Sequence, residues 1–205
     1  MTDQTVLFVG DSVTDCGRRD DPEGLGSGYV RVLAATPELA GRTVLNRGIS
    51  GNRVVDLEAR WADDVLAVDA AVVSILIGIN DTWRRYDSDD PTTVDAYEAG
   101  YRRLLEPFGA RPETALVLME PFVLPVTPEQ AGWREDLDPK IEVVHRLATE
   151  FGATLVPTDV ELTRLAAEGA GGAAALAEDG VHPTPRGHAA IAAIWLAHTG
   201  HVLTH

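Results

Sequence analysis

Four short segments of the 205-residue chain carry side chains suited to nucleophilic chemistry. They are Gly10-Asp11-Ser12-Val13-Thr14-Asp15, Asn46-Arg47-Gly48-Ile49-Ser50-Gly51-Asn52, Gly78-Ile79-Asn80-Asp81 and Asp179-Gly180-Val181-His182-Pro183. A serine hydroxyl is a poor nucleophile until an adjacent base takes its proton, and histidine is the usual base near neutral pH. The base needs an orienting carboxylate, and Asp179 lies three residues before His182. In a tight loop that spacing lets the carboxylate reach imidazole Nδ1 and leaves Nε2 to face a serine. Pro183 disfavours helical backbone at His182, so the histidine belongs on a loop. A tetrahedral oxyanion needs hydrogen-bond donors, each contributing on the order of 3 kcal/mol. Gly48 lets a backbone N–H approach closely, and the Asn80 amide is a side-chain donor. These are the parts of a serine hydrolase.

The elements that must hold them alternate along the chain. Thr5–Val9, Thr43–Leu45, Ala70–Ile77, Ala115–Met119 and Thr154–Val156 are short apolar runs of strand character. Ala70–Ile77 is almost wholly apolar, as a strand covered on both faces should be. Between the strands, helical spacing appears over Gly28–Leu39, Val54–Leu66, Pro91–Phe108, Pro139–Phe151 and Val160–Glu168, and a last helix is expected from Pro185 to Ala197. Alternating strand and helix predicts one α/β domain over residues 1–205, a three-layer α/β/α sandwich on a five-stranded parallel sheet. Ligand sites in such sheets lie beyond the carboxyl ends of the strands, where the four segments should meet. The Ala170–Ala175 stretch reads as a mobile connector.

Composition narrows the partners. Seventeen basic against 32 acidic side chains give a formal charge of −15, which argues against nucleic-acid binding and attraction to an anionic membrane surface. No apolar run of about 18 residues suggests a membrane span. Met1-Thr2-Asp3-Gln4 lacks the basic-then-apolar pattern of a secretory leader, so cytoplasmic residence is expected. Cys16 is alone, which precludes an intramolecular disulfide or a thiolate metal cluster, and it reads as a bystander. No cofactor and no metal are expected.

Taken together, the four segments resemble the blocks of the SGNH (GDSL) hydrolase superfamily, with Ser12, Gly48, Asn80 and His182 as the four name residues. The resemblance implies a flavodoxin-like SGNH fold. It implies that Ser12 is the nucleophile, His182 the general base and Asp179 its orienter. The Ser12 and Gly48 amides with the Asn80 side chain would form the oxyanion hole. More finely, GDSVTDCGR, GSGYV, NRGISGN, Arg60-Trp61 and GINDTWR are similar to carbohydrate esterases that include intracellular serine acetylxylan esterases. Some of those relatives have tryptophan just before the catalytic aspartate, where this chain has Glu178. The family further suggests a homo-oligomer.

The expected activity is removal of O-acetyl groups from an acetylated oligosaccharide or sugar. A lipolytic or thioester acyl hydrolase and a non-catalytic carbohydrate-binding protein are the alternatives. Trp83, Arg84 and Asp11 are grouped as substrate contacts, Asp11 also as an organiser of its turn. Phe122 and Trp133 lie on a proline-rich loop, and Trp133 is expected mainly to pack the loop base. Arg60 and Trp61 read as helix core, and Asp87-Ser88-Asp89-Asp90 as a solvated loop capping the next helix. His145 and His188 fall in helical patterns, while His198, His201 and His205 crowd the C-terminus.

Overall fold

Apolar residues on both faces of each run build the sheet. In the computed structural model, which describes residues 4–203, strand β1 (Val6–Gly10) is buried along its whole length. It lies between β2 (Val44–Gly48) and β3 (Val72–Leu76), followed outward by β4 (Ala115–Met119) and β5 (Thr154–Val156). The order is β2-β1-β3-β4-β5 and every pair is parallel, Gly10 standing opposite Gly48 on one side and Leu76 on the other. The expected five-stranded α/β/α sandwich is therefore present. Residues 1–3 and 204–205, His205 among them, lie outside the described range.

Side-chain alternation divides the core. Val6, Phe8, Val72, Val117 and Met119 point to one face, covered by α2 (Tyr29–Ala34), α8 (Thr158–Glu168), α9 (Gly172–Leu176) and α10 (Pro185–Thr199). Leu7, Val9, Val73, Ile75 and Leu118 point to the other, covered by α3 (Val54–Trp61), α5 (Val94–Leu105) and α7 (Arg134–Phe151). Trp195 of α10 packs on Phe8 with ring centroids 5.3 Å apart and donates its indole N–H to Ser74 Oγ at 3.0 Å. Among the described residues no helix is long and apolar enough to cross a membrane.

Several boundaries differ from expectation. Helix α1 (Ser12–Asp15) and helix α4 (Ile79–Asp87) occupy segments expected as turn and loop. Gly172–Leu176 is helical because Leu176 anchors it in the core, so the small-residue stretch is only partly a connector. Helix α7 starts at Arg134 rather than Pro139, directly after the short α6 (Pro128–Gly132) and Trp133. The side chain of Thr93, not the acidic 87–90 run, caps α5 by accepting the Ala96 N–H at 3.2 Å. Beyond the strand ends, Ile79, Val123, Trp133, Leu137, Ile141 and Val181 form a third apolar cluster. The chain's one lysine, Lys140, is fully buried there, paired with Asp136 and donating to Thr82 Oγ1 at 3.3 Å, which ties α7 to α4.

Candidate active site

The chain leaves β1 into a sharp turn whose first helical residue is Ser12. Asp11 makes the turn: its carboxylate accepts the Val13 N–H at 3.0 Å and caps α1. As the opening residue of α1, Ser12 has an N–H that the helix cannot use. Asp11 itself is 1% exposed and does not line the cleft, so it is a structural carboxyl and not the substrate contact grouped with Trp83 and Arg84. Burial, helped by the nearby Asp81, pushes Asp11 up to about 7, although the Val13 hydrogen bond pulls it down.

From the other side of the sheet, the loop before α10 brings in the base. His182 Nε2 and Ser12 Oγ are 3.0 Å apart, and His182 Nδ1 lies 2.6 Å from Asp179 Oδ2. Asp179 Oδ1 also accepts the backbone N–H groups of Val181 and His182 at 3.0 and 2.7 Å. Partial burial works to raise the Asp179 carboxyl, but the His182 ring and these two amides outweigh it and hold the group below the ordinary carboxylate range. Gln130 of α6 fixes the loop from behind. Its Nε2 donates to the Asp179 carbonyl at 2.5 Å while its Oε1 accepts the Val126 N–H at 3.0 Å.

The cleft at Ser12 has a volume of about 380 Å³, and Ser50, Gly51, Asn80, Trp83, Arg84 and His188 are among its walls. Asn80, in the first turn of α4, donates one amide hydrogen from Nδ2 to the Asn52 carbonyl at 3.0 Å, leaving the second for a ligand. Gly48 stands elsewhere. Its N–H is spent on Asn46 Oδ1 at 2.8 Å, and a Cβ there would come within 2.2 Å of the Asp15 backbone nitrogen. Gly48 thus packs the turn against α1, and the glycine at the cleft is Gly51, with φ +83° and open space around its Cβ position. The positive φ is the local signal that could have distinguished the two; sequence alone does not display it.

Around the triad, Trp83 lies 5.8 Å from the His182 ring and 5.5 Å from Trp133. Trp133 is 4% exposed and stacks on Tyr86, so it supports Trp83 from below, as expected for the loop base. Arg84 sits over Trp83 and pairs with Asp87. His188, expected only as a helix residue, also reaches the cleft. Burial and the neighbouring His182 lower it to about 4, so its neutral ring accepts the Tyr29 N–H at Nδ1, 3.1 Å, and places Nε2 3.4 Å from Cys16 Sγ. A second cavity of about 560 Å³, lined by residues including Asp20, Glu23 and Arg31, adjoins the cleft at Cys16. Glu178 borders a third, about 380 Å³, that shares Asp179, His182 and Pro183 with the site. Among the described residues no group of three His, Cys, Asp or Glu side chains is placed to hold a metal ion.

An oriented serine–histidine–aspartate line beside unspent N–H donors is equipped for acyl transfer. Comparison with known proteins agrees with that chemistry. An acetylxylan esterase of Geobacillus stearothermophilus is 40% identical over 212 residues, spanning 96% of this chain and 94% of that protein. The crystal structure of a catalytic mutant of an acetylxylan esterase from the same organism superposes with a TM-score of 0.84 at 37% identity, covering 96% and 94% of the two chains. A putative GDSL-like lipase from Parabacteroides merdae gives 0.88 at 36% identity, covering 97% and 96%. Residues 8–190 match the model of the GDSL-like lipase/acylhydrolase family, and the chain belongs to that family.

Proposed function

We propose that this chain is a serine esterase that removes O-acetyl groups from acetylated xylo-oligosaccharides or closely related neutral sugars. The observation that carries the reading is the continuous hydrogen-bonded line from Ser12 through His182 to Asp179, lying along the wall of a cleft. In the first step His182 Nε2 takes the Ser12 proton as Oγ attacks the acetyl carbonyl. The developing oxyanion meets the free Asn80 amide hydrogen and the Ser12 and Gly51 N–H groups, and Gly51 takes the place first expected for Gly48. His182, now charged and steadied by Asp179, gives its proton to the departing sugar hydroxyl. Water then attacks the acetyl-enzyme with His182 as base, releasing acetate and restoring Ser12.

A cleft of about 380 Å³ suits a small acyl group, and Trp83 offers a face to a sugar ring next to the nucleophile. The adjoining cavities at Cys16 and at Glu178 leave room for a chain of sugars on either side. Both carry carboxylates, which suits uncharged hydroxyl-rich substrates. Acetate release from acetylated xylo-oligosaccharides, peracetylated monosaccharides and aryl acetates tests the assignment, with Ser12→Ala expected to abolish turnover while the protein stays folded. Retained turnover in Ser12→Ala would reject the mechanism, and a preference for octanoyl over acetyl aryl esters would favour the lipolytic alternative. We place the enzyme in the cytoplasm as a homo-oligomer; fractionation and sedimentation of the native protein test these two points.

A further inference from the structure

Arg60 lies in the last turn of α3, 15% exposed at its side chain, and reaches over the ends of two strands. Its Nε donates to Asn52 Oδ1 at 2.8 Å, and one terminal nitrogen donates to the Arg47 carbonyl at 2.8 Å and to Asp64 Oδ2 at 2.6 Å. The other terminal nitrogen donates to the Gly10 carbonyl at 3.2 Å. Gly10 is the last residue of β1, immediately ahead of the Asp11–Ser12 turn. Arg47 belongs to the end of β2, and Asn52 follows Gly51. The Asn52 carbonyl is in turn the acceptor that orients Asn80. One planar cation therefore bonds to the segments bearing the nucleophile and Gly51, and through Asn52 to Asn80.

We infer that Arg60 is the positioning residue of the oxyanion hole, acting through Asn52 and through the Gly10 and Arg47 carbonyls without touching substrate. The inference rests on the serine-esterase reading above. A fork of rigidly spaced N–H donors can satisfy four acceptors lying in different directions; a lysine ammonium on a flexible stem cannot. Asp64 offsets the charge and holds the fork in place. Because the hole is used only once charge has moved onto the carbonyl oxygen, a slackened hole should slow the chemical step and leave substrate binding intact.

The test is steady-state hydrolysis of an aryl acetate by the unaltered enzyme, Arg60→Ala, Arg60→Lys, Asn52→Ala and the double variant Arg60→Ala/Asn52→Ala, each with a thermal melt. Arg60→Ala should lose about 10²-fold in kcat, the scale of a misplacement near 1 Å, with KM nearly unchanged. Added guanidinium ion should return part of that kcat in Arg60→Ala and none in the unaltered enzyme. Arg60→Lys keeps an ion pair to Asp64 and should remain slow. The losses from Arg60→Ala and Asn52→Ala should fall short of additive in the double variant, since one works through the other. A folded Arg60→Ala with kcat within about threefold of the unaltered enzyme, well short of that scale, overturns the role, as does a fully active Arg60→Lys. If Arg60→Ala does not fold, Arg60→Lys decides. An unaltered enzyme inert toward every acetyl ester would instead overturn the serine-esterase reading itself.

Discussion

Asp15 Oδ2 accepts both the backbone N–H and the hydroxyl of Ser50, each at 2.9 Å, and so fastens the turn bearing Gly51 to the helix bearing Ser12. Asp15 is 2% exposed, and it also accepts the Arg18 N–H at 3.3 Å. Removing the carboxylate in Asp15→Ala leaves these donors without their acceptor, at a cost of roughly 1–3 kcal/mol. The variant should melt earlier and turn over more slowly at near-constant KM. Ser50→Ala keeps the backbone bond and should lose less of both. Melting curves and aryl acetate kinetics on the pair check the order.

Asp179 holds the Nδ1 side of His182. In Asp179→Asn, Oδ1 can still accept the Val181 and His182 amides, but the amide nitrogen opposes a protonated Nδ1 and favours the wrong tautomer. A kcat loss of about 10⁴-fold is expected, the scale seen when a triad carboxylate is neutralised, with little change in thermal stability. A loss below about tenfold would show that Asp179 is not the orienter.

Asp11 sets a stability slope with pH. Its folded-state value of about 7 lies above the ordinary 3.8, so between these values the folded protein binds a proton that the unfolded chain has released. Stability is then fully expressed below about pH 4 for this group and declines as pH rises toward 7, by up to about 1.4 kcal/mol per unit. Asp81, buried and raised to about 7 in the same way, adds to the slope. Asp11→Asn keeps an acceptor for Val13 and removes one titration. Urea unfolding at about pH 5 and about pH 8 should show a smaller difference in the variant than in the parent.

The two glycines of the 46–52 turn should part company on substitution. Gly48→Ala drives a Cβ into the Asp15 backbone and should prevent stable folding. Gly51→Ala meets no atom within 4 Å and costs only its left-handed backbone, about 1–2 kcal/mol. It should fold and lose kcat while KM holds. Thermal melts and aryl acetate kinetics on both variants read the two effects separately.

The triad was legible because its residue types are scarce in such combinations and sit in contiguous segments: Ser12 after an apolar strand, Asp179 three residues before His182 and its proline. The strands were legible from apolar runs buried on both faces. Helix α4 was not, although Ile79, Trp83 and Tyr86 recur at i, i+4 and i+7, because the stripe is short and opens on the polar Asn80-Asp81-Thr82 run, which reads as a strand-end loop. Its place is fixed by that stripe packing on Trp133, Leu137 and Ile141 and by polar links to α7, Lys140 to Thr82 and Arg85 to Asp136 at 3.1 Å. Asp11 was misplaced as a substrate contact because a carboxylate beside a nucleophile looks the same in sequence whether it faces the cleft or caps the turn. Gly48 displaced Gly51 for a similar reason: the choice depends on which N–H the Asn46 side chain captures. Arg60 was read as core because its helix stripe is apolar, whereas its guanidinium extends along the sheet edge to carbonyls far from it in sequence.

The burial of Lys140 makes the folded enzyme unusual toward reagents and proteases that act on lysine. Sixteen arginines carry the rest of the basic side-chain charge, and the single ε-amine is sealed between α7 and α4. Amine-reactive coupling of the native protein should therefore spare every side chain. A lysine-specific endoprotease has one bond to cut, after Lys140, and reaches it only when that region opens. The rate of that single cleavage is a built-in gauge of how often the floor beneath the catalytic cleft comes apart.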